Sequence, residues 1–324
     1  MPIVTSTYKP SYLFRNSHFS TIYPNLFRKV TAVNQQRERL ELDDGDFMDI
    51  DWSYGLNTTT SKRVAVVIHG LEGSAQRQYM MGLIKHLNNN FWDVAAVNLR
   101  NCSGEANRLY QSYNAGVSDD LHSIIKYVID KEYPTIAICG FSLGGNITLK
   151  YIGERAIPTQ VKFAVAISVP CDLYNSLSEI NKSNNSIYRK RFIKSLKKNL
   201  HEKQKLFPDK ISTSDINSCT SIIDIDDVYT STAHGFSDAM DYYAQCSSKQ
   251  FLKKIRIPTL IINAKNDSFL GDSCYPVEEA KVNSHLFLEI PDFGGHVGFY
   301  DANNIYYSEW RIIDFLEKNG CNIS

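Results

Sequence analysis

No apolar run in this sequence approaches the length of about 18 residues that a membrane-spanning helix needs. The opening stretch MPIVTSTYKPSYLFRNSHFS lacks the apolar centre and the cleavage site of an export signal. An excess of either charge is also missing: 35 Lys and Arg balance 35 Asp and Glu. Such a chain has no global field to attract nucleic acid or an anionic membrane. Paired cysteines are absent as well. The seven, at 102, 139, 171, 219, 246, 274 and 321, form no CxxC pair and are odd in number. This argues against a disulfide scaffold or a zinc finger and for reduced thiols in a cytoplasm. No repeat and no long low-complexity linker interrupts the chain.

What is present is alternation. The 324 residues suffice for one large α/β core with an insertion. The first 33 residues, mixed aromatic and polar, are expected to wrap the outside of that core. RLELDD (39–44) and DIDWSY (49–54) read as strands joined at Asp44-Gly45-Asp46. Short apolar runs follow at 64–70, 93–100, 135–140 and 161–170, with helical patterns at 75–89, 116–131 and 143–154 between them. Strands spaced by helices imply βαβ units and a mostly parallel central sheet flanked by helices. From Cys171 to about Gln250 the strand pattern stops and polar helical sequence takes over. It resumes at 259–265 and 285–291, and a helix near 306–318 ends the chain. One domain over 1–324 with a helical cap inserted at 171–250 accounts for this order.

The chemistry is carried first by Gly140-Phe141-Ser142-Leu143-Gly144, a G-x-S-x-G sequence between a buried strand and a helix. A turn this tight needs small residues around the nucleophile, lifts Ser142 above the sheet edge and aims the Leu143 N–H at the reacting centre. A serine needs a base. His296 alone of the eight histidines lies in a glycine-flanked loop after the last strand, FGGHVGF (293–299). The acid of such enzymes falls between the two. Asp267 follows the strand TLIINAK directly; Asp272 is the rival, deeper in the loop. The expected oxyanion donors are the amides of Leu143 and of Leu71, the latter in the turn His69-Gly70-Leu71-Glu72-Gly73, which His69 braces. No metal or cofactor is implied.

With these motifs the chain resembles the α/β-hydrolase superfamily and, within it, the AB hydrolase 4 family of YheT-type esterases. The markers are Asn16-Ser17-His18, Thr21-Ile22-Tyr23-Pro24, Asp44-Gly45-Asp46-Phe47, Asp49-Ile50-Asp51-Trp52, His69-Gly70-Leu71-Glu72-Gly73-Ser74, Asn98-Leu99-Arg100 with Cys102-Ser103-Gly104, and the elbow and His296 loops. The family's Asp-Asp-Pro-Phe is Asn266-Asp267-Ser268-Phe269 here, its Arg-Gly-Cys is Arg100-Asn101-Cys102, and its Tyr-His-x-Gly is Tyr113-Asn114-Ala115-Gly116. The resemblance implies the α/β-hydrolase fold, hydrolysis of small acyl esters, and the soluble bacterial type rather than relatives with a membrane anchor. Some relatives transfer the acyl group to an alcohol.

Two other readings stand beside ester hydrolysis: acyl transfer to an alcohol, and a non-catalytic ligand-binding protein on the same scaffold. Dehalogenase and epoxide-hydrolase chemistry is disfavoured, because it uses an Asp nucleophile. Within the cap, 188–205 reads YRKRFIKSLKKNLHEKQK, with Phe192, Leu196 and Leu200 on one helical stripe. Such a helix packs on its own protein or makes weak contact with a lipid surface. The oligomeric state is not legible.

Overall fold

The computed structural model describes residues 3–55 and 63–320; Cys321 of the sequence reading lies outside them. The apolar runs form the strands β1 Ile3–Val4, β2 Gln36–Glu41, β3 Phe47–Ser53, β4 Arg63–Ile68, β5 Asp93–Asn98, β6 Thr135–Phe141, β7 Val161–Ile167, β8 Thr259–Ile262 and β9 Leu286–Glu289. Among the described residues they make one sheet in the order β1-β9-β8-β7-β6-β4-β5-β3-β2. The β2–β3 and β3–β5 pairs are antiparallel and all others parallel. This is the mostly parallel sheet expected from the alternation, in the α/β-hydrolase fold that the resemblance implies.

The central strands β4 to β8 are mostly apolar because both faces of the sheet are covered there, whereas the edge strand β2 (QRERLE) is polar and largely exposed. Val64, Val66 and Ile68 of β4 point to one face, with Ile136 and Ile138 of β6, under Leu121, Ile124 and Val128 of α3 (Ser118–Asp130). Ala65 and Val67 point to the other, with Ala137 and Cys139, under Leu83, Ile84 and Leu87 of a helix at Gln78–Asn89 and Ile312 and Leu316 of the final helix Tyr307–Lys318. Cys139 is a packing residue of this layer.

The first 33 residues depart from the expected wrapping. Ile3–Val4 adds a parallel edge strand to β9, and α1 (Ser17–Phe27) packs at the C-terminal edge of the sheet beside the His296 loop. Between β7 and β8 the chain forms no strand. It contains α5 (Leu173–Ile180), the long α6 (Ser186–Leu206), several short helices including a π-helical turn at Asp226–Ser231, and a helix at Ala239–Cys246. Leu200, Ile211, Ile216, Cys219, Ile225 and Tyr229 give this segment a small core of its own. The helices Gln78–Asn89, α3 and α4 (Leu143–Glu154) complete the order as α2, α3 and α4.

Candidate active site

The run TIAICGF ends at Ser142, whose φ of 52° and ψ of −119° belong to a region that costs a non-glycine residue about 1–3 kcal/mol. The neighbouring glycines make this turn possible. A Cβ on Gly140 would lie 2.2 Å from the Gly144 carbonyl oxygen, and one on Gly144 would lie 2.5 Å from that of Ile68. Ser142 N–H is anchored to Ile167 O at 2.8 Å, and its carbonyl accepts from Asn146 N–H at 3.1 Å. One turn into α4, the buried Asn146 side chain donates to Ala115 O and Cys246 O and accepts from Ser248 N–H. It ties the elbow to two loops.

His296 Nε2 lies 2.9 Å from Ser142 Oγ, and Nδ1 lies 2.8 Å from Asp267 Oδ2. The carboxylate fixes the proton on Nδ1, which leaves Nε2 to accept from the serine hydroxyl. The Asp267 side chain is fully shielded from solvent and His296 is 12% exposed. Asp267 Oδ1 also accepts from Phe269 N–H at 2.9 Å, and the Phe269 ring lies 4.4 Å from the imidazole. Asp272, the rival, is exposed and takes no part in this chain of bonds.

The His69–Gly73 turn lies against the serine: a Cβ on Gly70 would be 3.0 Å from Ser142 Cβ. His69 is completely buried, which pushes its pKa down to about 4. It is neutral, with Nε2 accepting from Leu99 N–H at 3.2 Å and Nδ1–H donating to Gly70 O at 2.8 Å. The other amides of the turn are engaged: Gly70 N–H with Tyr79 OH, Glu72 N–H with Tyr113 OH, and Gly73 N–H with Gly70 O. Among the described residues the Leu71 N–H has no such partner. The Leu143 N–H is the first of α4, where helical amides lack an internal acceptor.

A family model described as "Serine aminopeptidase, S33" (Hydrolase_4) matches residues 59–273. YheT of Escherichia coli strain K12, an esterase by name, is 33% identical over 320 residues, covering 95% of this chain and 93% of that protein. The chain belongs to the Hydrolase_4 family of α/β-hydrolases. Phospholipase ABHD3 of Bos taurus is 26% identical over 93% of the chain and 75% of its own length. Monoacylglycerol lipase of Saccharomyces cerevisiae is 27% identical over 76% of the chain and 56% of its own length. In fold it is similar to the Pyrococcus furiosus esterase Pf2001, at a TM-score of 0.58 and 16% identity, over 88% of this chain and 91% of that one. The chain is thus an α/β-hydrolase of the esterase and lipase type.

In this hydrolase a cavity of about 320 Å³ opens on Ser142 and His296. Its walls come from the Gly70–Gly73 turn, Tyr113–Ala115, α1 and the helical segment after β7, with Leu177, Tyr188, Phe192 and Leu196 among the apolar lining. The stripe Phe192, Leu196, Leu200 therefore faces inward, against the core and the cavity. Of the family departures, Asn101 and Asn114 line the cavity. Arg100, which matches the family pattern, does not line it and is held in a buried cluster with Asp46 and Asp120.

Several supporting residues escaped the sequence reading. Thr21 Oγ1 of α1 accepts from His296 N–H at 2.9 Å, and Ser168 Oγ accepts from Val297 N–H at 2.9 Å. Asn266 Oδ1 accepts from Gly295 N–H at 3.0 Å, and Ser268 Oγ donates to Asn185 Oδ1 at 2.8 Å. So the two polar departures from Asp-Asp-Pro-Phe brace the histidine loop and the cap. The Asn16-Ser17-His18 and Thr21-Ile22-Tyr23-Pro24 markers fall on α1 but gave it no role.

Proposed function

We propose that this hydrolase is a serine carboxylesterase that works through an acyl-enzyme intermediate. The observation that carries the reading is the unbroken hydrogen-bond chain from Ser142 through His296 to buried Asp267, open to a largely apolar cavity. Ser142 Oγ attacks the ester carbonyl as His296 Nε2 takes its proton. The Asp267 carboxylate keeps Nδ1 protonated and stabilises the imidazolium without taking the proton itself. The unengaged Leu71 amide and the helix-terminal Leu143 amide donate to the oxyanion, a contribution of a few kcal/mol to the transition state. His296 then protonates the leaving alcohol. A water, deprotonated by the same nitrogen, releases the carboxylic acid.

The helical segment 171–250 acts as a cap within a single domain, supplying the acyl wall and limiting water access. A cytoplasmic setting fits the six free thiols among the described residues. No helix among them is long and apolar enough to cross a membrane.

A panel of p-nitrophenyl esters of increasing chain length tests the reading, run with and without added alcohol. Wild type is compared with Ser142→Ala and His296→Ala, and an aminoacyl anilide serves as the peptidase control. The expected result is ester turnover and fluorophosphonate labelling, both lost in Ser142→Ala and labelling sharply reduced in His296→Ala. Faster ester loss with alcohol, accompanied by a new ester product, would make the protein an acyltransferase. A folded protein that neither turns over esters nor takes the label would be a binding scaffold.

A further inference from the structure

The six most exposed large hydrophobic side chains among the described residues are Tyr12 (82%), Ile187 and Val282 (71% each), and Leu13, Leu26 and Phe27 (64% each). Five of them share one region. Tyr12 and Leu13 belong to a turn whose Phe14 ring packs on Phe19 and Tyr23 of α1, at 5.1 and 5.0 Å, and Tyr23 in turn packs on Phe27 at 5.2 Å. Ile187 starts α6 next to Tyr188, whose hydroxyl is 3.1 Å from His18 Nδ1 of α1. This contact, with the two rings stacked at 5.7 Å, joins the N-terminal ends of the two helices, and Leu26 of one and Arg191 of the other both line the cavity that reaches Ser142. Exposed apolar side chains concentrated in this way mark an interaction surface.

On these two segments the charge has one sign. No acidic residue precedes Glu38, and none lies between Glu179 and Glu202. Along α6, Ile187, Lys190, Arg191, Lys194 and Lys198 recur at helical spacing on the face opposite Phe192, Leu196 and Leu200. These five are exposed, and among the described residues none of the four cations is in an ion pair. Lys9, Arg15 and Lys29 are exposed on the α1 side. Of the acids on neighbouring segments, Glu179 is paired with Lys182, Asp292 is exposed next to Phe293, over whose ring Arg15 lies, and half-buried Asp301 follows Tyr300, whose ring stacks on Phe14.

We infer that α1 and the outward face of α6 form a docking surface for an anionic lipid bilayer. The apolar tips enter the headgroup boundary while the flanking lysines and arginines meet the acidic headgroups. The inward stripe that the sequence singled out plays no part in this contact. The α1 and α6 walls of the cavity then face the bilayer, so an acyl lipid can pass from membrane to Ser142 without crossing bulk water. The docking does not depend on the proposed ester chemistry.

The test is sedimentation of the full chain with vesicles of phosphatidylcholine containing roughly one-third phosphatidylglycerol, beside vesicles of phosphatidylcholine alone. The protein should sediment with the anionic vesicles, weaken as salt rises, and stay largely in solution with the neutral ones. Leu13→Ser/Phe27→Ser and Lys190→Glu/Lys194→Glu should each lower the bound fraction about tenfold while hydrolysis of a soluble short-chain ester stays unchanged. Ser142→Ala should bind vesicles like wild type, so loss of activity and loss of docking are read separately. Absence of binding to anionic vesicles, or equal binding by the variants, would overturn the inference. So would a dimer in vesicle-free solution that the same substitutions dissociate, since the face would then join two copies of the chain.

Discussion

Glu72 accepts a 2.8 Å hydrogen bond from Asn199 Nδ2 across 127 residues of chain. The same carboxylate accepts from Ser195 Oγ, one turn earlier on α6, and from Tyr113 OH at 2.9 Å. The turn beside Ser142 is therefore clasped to the helical segment that walls the cavity. Glu72→Ala removes the clasp. It should cost on the order of 1–2 kcal/mol of stability and lower kcat/KM about tenfold, because the neighbouring Leu71 amide loses its fixed position. Glu72→Gln, which keeps an acceptor, should recover most of both. Chemical denaturation and steady-state kinetics on the two variants check this. A Glu72→Ala enzyme with wild-type kinetics would remove any catalytic consequence of the clasp.

The two carboxylates of the loop after β8 can be told apart by kinetics. Asp267→Asn keeps the shape of the site but no longer holds the Nδ1 proton, so kcat should fall on the order of 10³–10⁴-fold. Asp272→Asn should stay close to wild type, since Asp272 is exposed. The reverse pattern would mean that the orienting acid is misassigned.

Phe192 and Leu196 line the cavity and are partly buried against the core. Phe192→Ala and Leu196→Ala should move the preferred ester toward longer acyl chains, with a smaller effect on melting temperature. Measuring kcat/KM across the ester panel beside Tm decides the point. Unchanged preference with collapsed stability would make both residues packing for the helix alone.

Asp226 faces the same cavity from the π-helical turn, accepting from Tyr243 OH and from Thr230 Oγ1 at 2.7 Å. Burial raises its pKa to about 6, and neighbouring Asp227 adds to the rise. A raised carboxyl pKa means that the folded state binds more protons than the unfolded one between about pH 4 and 6. Stability should therefore fall as pH rises through that window and remain lower above it, by at most on the order of 3 kcal/mol. In Asp226→Asn this part of the pH dependence should disappear. Urea titrations at pH 4.5 and 7.5 measure the difference, and an unchanged slope in the variant would assign the dependence to other groups.

The sequence alone determined the layered βαβ order, because a strand buried on both faces must be apolar throughout and its helices must be amphipathic. It also singled out Ser142, Asp267 and His296. The elbow's glycines are required by local backbone geometry, and the acid and base follow strand ends whose place in a parallel sheet is set by chain order. The supports around them are pairings between distant segments, and nothing local encodes a partner. Thr21 meets His296 N–H only because α1 packs at the sheet edge, and Glu72 meets Asn199 only because α6 folds back over the turn. Periodicity likewise gave α6 an apolar stripe and a basic face but not their directions. Packing turned Phe192, Leu196 and Leu200 inward and left Ile187 exposed. A helix's own sequence fixes which residues share a face, while the surface that face meets is decided by the rest of the fold.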